Sequence, residues 1–239
     1  VTEVPGNPSG ERVALPRVSA GGQPCLLYLV RHGTTTMNIE NRYRGRRDIP
    51  LDAQGYQDAV DAARFLGARG ISAVYTGPLR RTIATAQIIA DEAGVPDIRI
   101  LHGLVNLDYG AWEGMTADEA AMYDPVGFNL YRTSPLQAIC PNGERLNQAQ
   151  DRMLQALMLM GGRHSGERIA AVTHAVMIRL FMASILDLPG ENWRVPLGRG
   201  SITEVVIDGG VISIGPGPGF GGSADGPPQT PQLRAVTSN

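Results

Sequence analysis

The triplet Arg31-His32-Gly33 ends the apolar run from Cys25 to Val30, and Thr34, Thr35, Thr36 and Asn38 follow at once. An imidazole can act as a nucleophile or carry a proton, and a guanidinium can hold an oxyanion in a bidentate grip. Gly33 frees the backbone to turn and to approach a ligand closely. The threonines add hydroxyls and backbone donors where a helix can begin. A cation, an imidazole and a row of donors thus stand together at the end of a strand, where ligands bind in open α/β sheets. The same grammar recurs twice. Arg168 to Thr173 reads as a buried strand ending in His174, and Ile71 to Tyr75 reads as a strand followed by Arg80 and Arg81 at the start of a helix.

These groups need a scaffold that gathers strand ends. Apolar residues at every position from Cys25 to Val30 are expected of a strand covered on both faces. A turn at 51–55 leads into a helix of about 14 residues with an apolar stripe of Ala59, Ala62, Ala63, Phe65 and Leu66, closed by Gly67 and Gly70. The second helix is expected over Ile83 to Ala93, a short strand over Asp97 to Leu101, a long helix from 141–144 to about Met160, and another from Val176 to about Leu186. Ser201 to Ile207 and Val211 to Ile214 are expected to pair across Gly209-Gly210. Strands alternating with helices argue for an α/β three-layer sandwich: a mostly parallel central sheet, helices on both faces, and catalytic loops at the C-terminal strand ends.

The pattern R-H-G-x-T-x-x-N after an apolar strand resembles the histidine phosphatase superfamily, in the branch that includes cofactor-dependent phosphoglycerate mutases. The resemblance runs from about residue 25 to 208. It implies that His32 attacks phosphorus and becomes a phosphohistidine, that Arg31 clamps the phosphoryl group, and that His174 is the second pocket histidine. Registering the next motif on Leu79, Thr85 and Ala86 makes Arg81 the second clamp, with Arg80 its neighbour. Thr35 and Asn38 supply neutral donors. Arg44 stands before Gly45 where the family typically has Gln among its substrate-binding residues. Gly143, Glu144 and Arg152 match a further family segment. One position departs: the family's proton-donating Glu falls on Asn106 in Leu104-Val105-Asn106-Leu107-Asp108-Tyr109-Gly110. Asp108, on the same face of an extended segment, is the nearest replacement acid.

The reaction so implied is metal-independent hydrolysis of a small organic phosphomonoester, with water resolving the phosphohistidine. No H-x-H or D-x-D pairing stands near these loops, and no cofactor or metal is expected. Asn106 keeps a second reading open, an attenuated relative that binds a phosphorylated ligand. A phosphomutase is a third, disfavoured by a phosphatase-type loop at 107–114 and a short lid. Residues 115–140 read either as ordinary packing or as a lid over an organic leaving group, and the arginines at 42, 44, 46 and 47 either as a solvated turn or as a cationic rim.

Composition bounds the rest. The chain has 239 residues and net charge −2, enough for one large domain and without the basic excess of a nucleic-acid or acidic-membrane binder. All 21 basic residues are Arg, and the two cysteines, Cys25 and Cys140, form no C-x-x-C. No apolar stretch reaches the roughly 18 residues of a membrane span, and the first residues do not resemble a signal peptide, so a cytoplasmic location is expected. The expected partner is a small phosphorylated substrate, with a homodimer left open. Residues 1–23 are expected to be a disordered arm, 24–214 the phosphatase-like domain, and 215–239 a disordered Gly/Pro-rich tail. His102 and His164, lacking any such context, are read as surface residues.

Overall fold

Strand β2 (Cys25–Arg31) is apolar at every position because both of its faces are covered. Cys25, Leu27 and Leu29 enter one core, and Tyr28 and Val30 enter a second core across the sheet, the alternation a strand requires. The computed structural model describes residues 2–3, 22–186, 188 and 190–215. The expected tail, beyond residue 215, and most of the expected arm lie outside the described residues. Within that arm Thr2–Glu3 is a short strand, β1, not a disordered segment: it pairs in parallel with Arg99 and Ile100 at the sheet edge.

The remaining strands are β3 (Ala73–Thr76), β4 (Ile98–Ile100), β5 (Arg168–Thr173), β6 (Ile202–Asp208) and β7 (Val211–Ile214). Their order is β1-β4-β3-β5-β2-β6-β7, with β6 and β7 antiparallel and the rest parallel. Gly209 and Gly210 join β6 to β7 at φ +53° and +86°, the left-handed pair a two-residue hairpin demands. The decisive register is Arg31 opposite Thr173 in β2 and β5. The next residue on each strand is a histidine, so one register brings together groups about 140 positions apart in sequence.

After the single turn α1 (Thr36–Ile39), helices α2 (Ala53–Gly67) and α3 (Arg80–Ala93) cover the face of Tyr28 and Val30. Asp52 caps α2 by accepting from the Gly55 N–H at 2.8 Å. Ala59, Ala62, Ala63 and Leu66 are buried as expected, whereas Phe65 is only half-buried and carries the Arg69 guanidinium over its ring at 3.3 Å. Helix α3 begins at Arg80, three residues before the expected start. Its first N–H is satisfied by the Asp48 carboxylate at 2.7 Å, a cap supplied from a distant loop. The opposite face carries α6 (Leu146–Arg163) and α7 (Ala175–Ile185), completing the three layers.

Residues 115–140 contain α4 (Ala117–Tyr123) and α5 (Pro125–Thr133), capped by Thr116 and Asp124. Phe128 and Tyr131 turn inward to join Tyr43, Tyr109, Trp112 and Trp193, with neighbouring ring centroids 4.7–6.4 Å apart. Met122 and Tyr123 face outward. The segment is thus a packed aromatic wall on one side and solvent-facing on the other. His164 is not a surface residue: it is buried beyond the end of α6, where its ring meets the Tyr75 hydroxyl and the Glu167 carboxylate, each at 2.9 Å. Among the described residues no helix is long and apolar enough to cross a membrane.

Candidate active site

His32 is almost completely buried at the end of β2. Its Nδ1 lies 2.6 Å from the Gly33 carbonyl oxygen, so Nδ1–H donates there and Nε2 keeps its lone pair. The turn that makes this contact requires glycine. A Cβ on Gly33 would stand 2.1 Å from the Gly55 carbonyl oxygen, and one on Gly55 would stand 2.1 Å from that of Thr34, so loop and helix start touch backbone to backbone. His174 sits at the N-terminus of α7 with its ring centroid 5.1 Å from that of His32. Both of its ring nitrogens are buried without a partner among the described residues. Burial, followed by the charge of Arg81, holds both imidazoles well below the usual histidine range, so both are neutral.

Arg81 is fully buried, donating to the carbonyls of Arg47 at 2.7 Å and Gly45 at 2.9 Å. Its neighbour Arg80 is exposed and paired with Asp48 at 3.1 Å. Asn106 donates its Nδ2 to the same Gly45 carbonyl at 2.9 Å, while its Oδ1 is buried and unpartnered. Gly45, at φ +51°, therefore anchors two pocket residues through its carbonyl and does not itself line the cavity, a correction to its expected place among the substrate contacts. Thr35 needs the same correction. Its backbone N–H and hydroxyl both donate to Asn38 Oδ1, at 2.9 and 2.8 Å, so Thr35 positions the Asn38 amide that does line the cavity.

Asp108 does not share a face with Asn106. Its carboxylate accepts from the Gly110 N–H at 2.9 Å and approaches Arg46 at 3.4 Å, and it does not line the cavity. Arg152 grips the start of this segment. One guanidinium donates to the carbonyls of Gly103, Val105 and Asn106 at 2.7–3.0 Å and pairs with Glu144 at 2.7 Å. The arginine run divides in the same way. Arg42 pairs with Glu119 at 2.8 Å and Arg47 with Glu113 at 3.8 Å, while Arg44 turns inward with its Nε buried and unpartnered.

The cavity above the two histidines has a volume of about 500 Å³. Arg31, Arg44 and the Glu119-paired Arg42 line it, as do Arg179, Arg194 and Arg199, three residues to which motif reading gives no role. Arg179 ends the H-A-V-M-I-R stretch one helical turn after His174, a signal that was available; Arg194 and Arg199 stand in an irregular connection with no local pattern. No carboxylate lines the cavity among the described residues. Burial and the neighbouring arginines hold the Arg31 guanidinium down to about 9, and burial and Arg44 hold that of Arg81 down to about 10. Both stay charged at neutral pH, and no carboxylate lines the cavity among the described residues to balance the guanidinium groups there.

Comparison with known proteins follows the same geometry. The family model of the histidine phosphatase superfamily (branch 1) matches residues 27–214. Phosphoglycerate mutase-like protein 4 of Arabidopsis thaliana is 34% identical over 155 residues, covering 64% of this chain and 67% of the relative. The chain spans about half (53%) of the bifunctional protein Rv2228c of Mycobacterium tuberculosis, at 33% identity over 80% of its own length. Among solved structures, Bacillus stearothermophilus YhfR superposes with TM-score 0.71 and 34% identity, covering 80% of this chain and 95% of that one. A mycobacterial glucosyl-3-phosphoglycerate phosphatase, Rv2419c, with VO3 superposes with TM-score 0.67 and 26% identity, covering 75% and 92%. A strand register that sets a tautomer-locked histidine against a second histidine, among guanidinium groups and within a matched span of 188 residues, places the chain in branch 1 of the histidine phosphatase superfamily.

Proposed function

We propose that the protein is a metal-independent phosphatase that removes a terminal phosphoryl group from a small organic phosphate through a phosphohistidine at His32. The observation that carries this reading is the His32 ring: Nδ1–H is committed to the Gly33 carbonyl, and Nε2 is left as a nucleophile in a cavity whose fixed charges are all positive. Arg31 and the His174 ring, which line the cavity, and Arg81, which does not line it but keeps an unpartnered Nε, supply donors for the phosphoryl oxygens as charge shifts in the transition state, each worth about 3–4 kcal/mol. These groups perform the charge neutralisation that a divalent cation performs elsewhere. Asn106 Oδ1, an acceptor with no proton to give, suits orientation of the water that resolves the phosphoenzyme. Likeness to a phosphatase and to a phosphoglycerate mutase-like protein supports phosphoryl transfer.

Absence of a carboxyl at position 106 favours a second reading, binding of a phosphorylated ligand without turnover. Rapid-quench labelling separates the two. Wild-type protein is expected to release phosphate and to form an acid-labile phosphoenzyme, both lost in His32→Ala and both insensitive to EDTA. Turnover at wild-type rate in His32→Ala, or tight ligand binding with neither product nor phosphoenzyme, overturns the phosphatase reading.

A further inference from the structure

We propose that the substrate is an organic diphosphate, cleaved at its phosphoanhydride bond, with the leaving phosphate held by Arg44, Arg179, Arg194 and Arg199. The inference rests on the phosphohistidine reading and names the group that departs.

The first ground is the leaving group. An alkyl phosphate expels an alkoxide, which needs a proton as it leaves. No carboxylate lines this cavity among the described residues. The acids around it are all engaged: Asp108 with the Gly110 N–H, Glu113 with the Arg46 N–H at 2.7 Å, and Glu144 with Arg152. Tyr43, Tyr109 and Tyr131 line the cavity, but burial pushes all three phenols up, and the Tyr109 and Tyr131 hydroxyls are 3.1 Å apart and bonded to each other. A neutral His174 is equally poor as an acid. A departing phosphate needs no proton, because it is stable as an anion.

The second ground is charge. Arg31, Arg81 and His174 suffice for one phosphoryl group. Among the described residues Arg179 is held through its Nε, which donates to the Val195 carbonyl at 2.8 Å. No carboxylate pairs with Arg44, Arg179, Arg194 or Arg199 among the described residues. Arg199 is close enough to weaken the charged forms of both Arg31 and Arg44, and Arg194 does the same to Arg179. This second set of cations exceeds what a monoester dianion balances and offers guanidinium donors to a second phosphate adjoining the first. The tyrosine wall then faces the organic group.

The chemistry balances without an added reagent. His32 Nε2 forms a bond to the terminal phosphorus as the bond to the bridging oxygen breaks, and that electron pair stays on the departing organic phosphate. Water then attacks the phosphohistidine. Its oxygen goes to inorganic phosphate, the N–P electron pair returns to His32, and one proton is released to solvent.

Four probes test this with the full chain: n-butyl diphosphate, n-butyl phosphate, 3-phosphoglycerate and phenyl phosphate. The diphosphate is expected to exceed n-butyl phosphate and 3-phosphoglycerate by about 100-fold or more in kcat/KM. Phenyl phosphate, whose leaving group also needs little protonation, is expected to turn over. In ¹⁸O-water the label is expected in inorganic phosphate and not in n-butyl phosphate. Arg194→Gln and Arg199→Gln are expected to lower kcat/KM at least tenfold more on the diphosphate than on phenyl phosphate. Comparable rates for n-butyl phosphate or 3-phosphoglycerate and the diphosphate, or equal losses in the arginine variants, overturn the inference and leave the phosphatase reading standing. Failure of all four probes with no phosphoenzyme overturns both.

Discussion

At the scale of single residues the site ties each side chain down by some of its polar atoms and leaves others without a partner among the described residues. Arg81 has two of its donors on backbone carbonyls and its Nε on nothing, and its charge acts on both histidines. Arg81→Met removes that charge and two hydrogen bonds, and kcat/KM is expected to fall about 10²- to 10³-fold in steady-state assays. The histidines also set a pH limit. Their folded values lie well below the unfolded value of 6.5, so below that pH the unfolded chain binds more protons than the folded one. Stability is therefore complete above about pH 6.5 and declines as pH falls from there toward the folded values. Thermal melts of the free protein are expected to show a Tm roughly 5–10 °C lower at pH 5 than at pH 7.5. In His174→Gln that slope is expected to be shallower; an unchanged slope would show that other groups set it.

At the scale of elements, two devices hold the loops. The Gly33–Gly55 contact presses the nucleophile loop against the start of α2. Gly55→Ala is expected to cost about 2 kcal/mol and to lower kcat by moving the Gly33 carbonyl that orients His32, both readable from urea melts and initial rates on one preparation. The Arg152–Glu144 pair, with side chains 20% and 12% exposed, holds the segment that presents Asn106. Glu144→Gln leaves a half-buried guanidinium without its counterion and is expected to destabilise by about 2–3 kcal/mol in the same melts. It is also expected to lower phosphate release, because the Asn106 backbone loses its clamp. Thermal stability equal to that of wild type would remove the pair from this role.

Across the whole molecule, charge is distributed unevenly. The net charge is only −2, yet the cavity is lined by arginines and by no carboxylate among the described residues. A cleft of one sign inside a nearly neutral surface focuses field toward its mouth, and salt screens that field. Plots of kcat/KM for an anionic substrate are expected to fall about three- to tenfold between about 0.05 and 0.5 M salt, with kcat nearly constant once substrate is bound. The aromatic wall is the structural counterpart. It packs residues 115–140 onto the body of the protein through Trp112, Phe128 and Tyr131, so this side of the cavity is a fixed surface.

Local pattern by itself determined the strands and the residues at their ends. A six-residue apolar run bounded by turn residues is too short for a helix and fits a covered strand, which leaves His32 and His174 at strand ends. Alternation of strands and helices, with short connections, left a parallel sheet as the economical solution. Tertiary structure decided what those residues face. Local spacing placed Asp108 beside Asn106, but the Gly110 N–H and Arg46 hold its carboxylate while Asn106 alone of the two lines the cavity. Thr35 and Gly45 match the motif, yet their polar groups serve Asn38, Arg81 and Asn106. The early start of α3 depends on a carboxylate 32 residues away. Arg194 and Arg199 carry no local signature because what makes them matter is the absence of a counterion among the described residues. That is a property of everything folded around a side chain, and no window of sequence contains it.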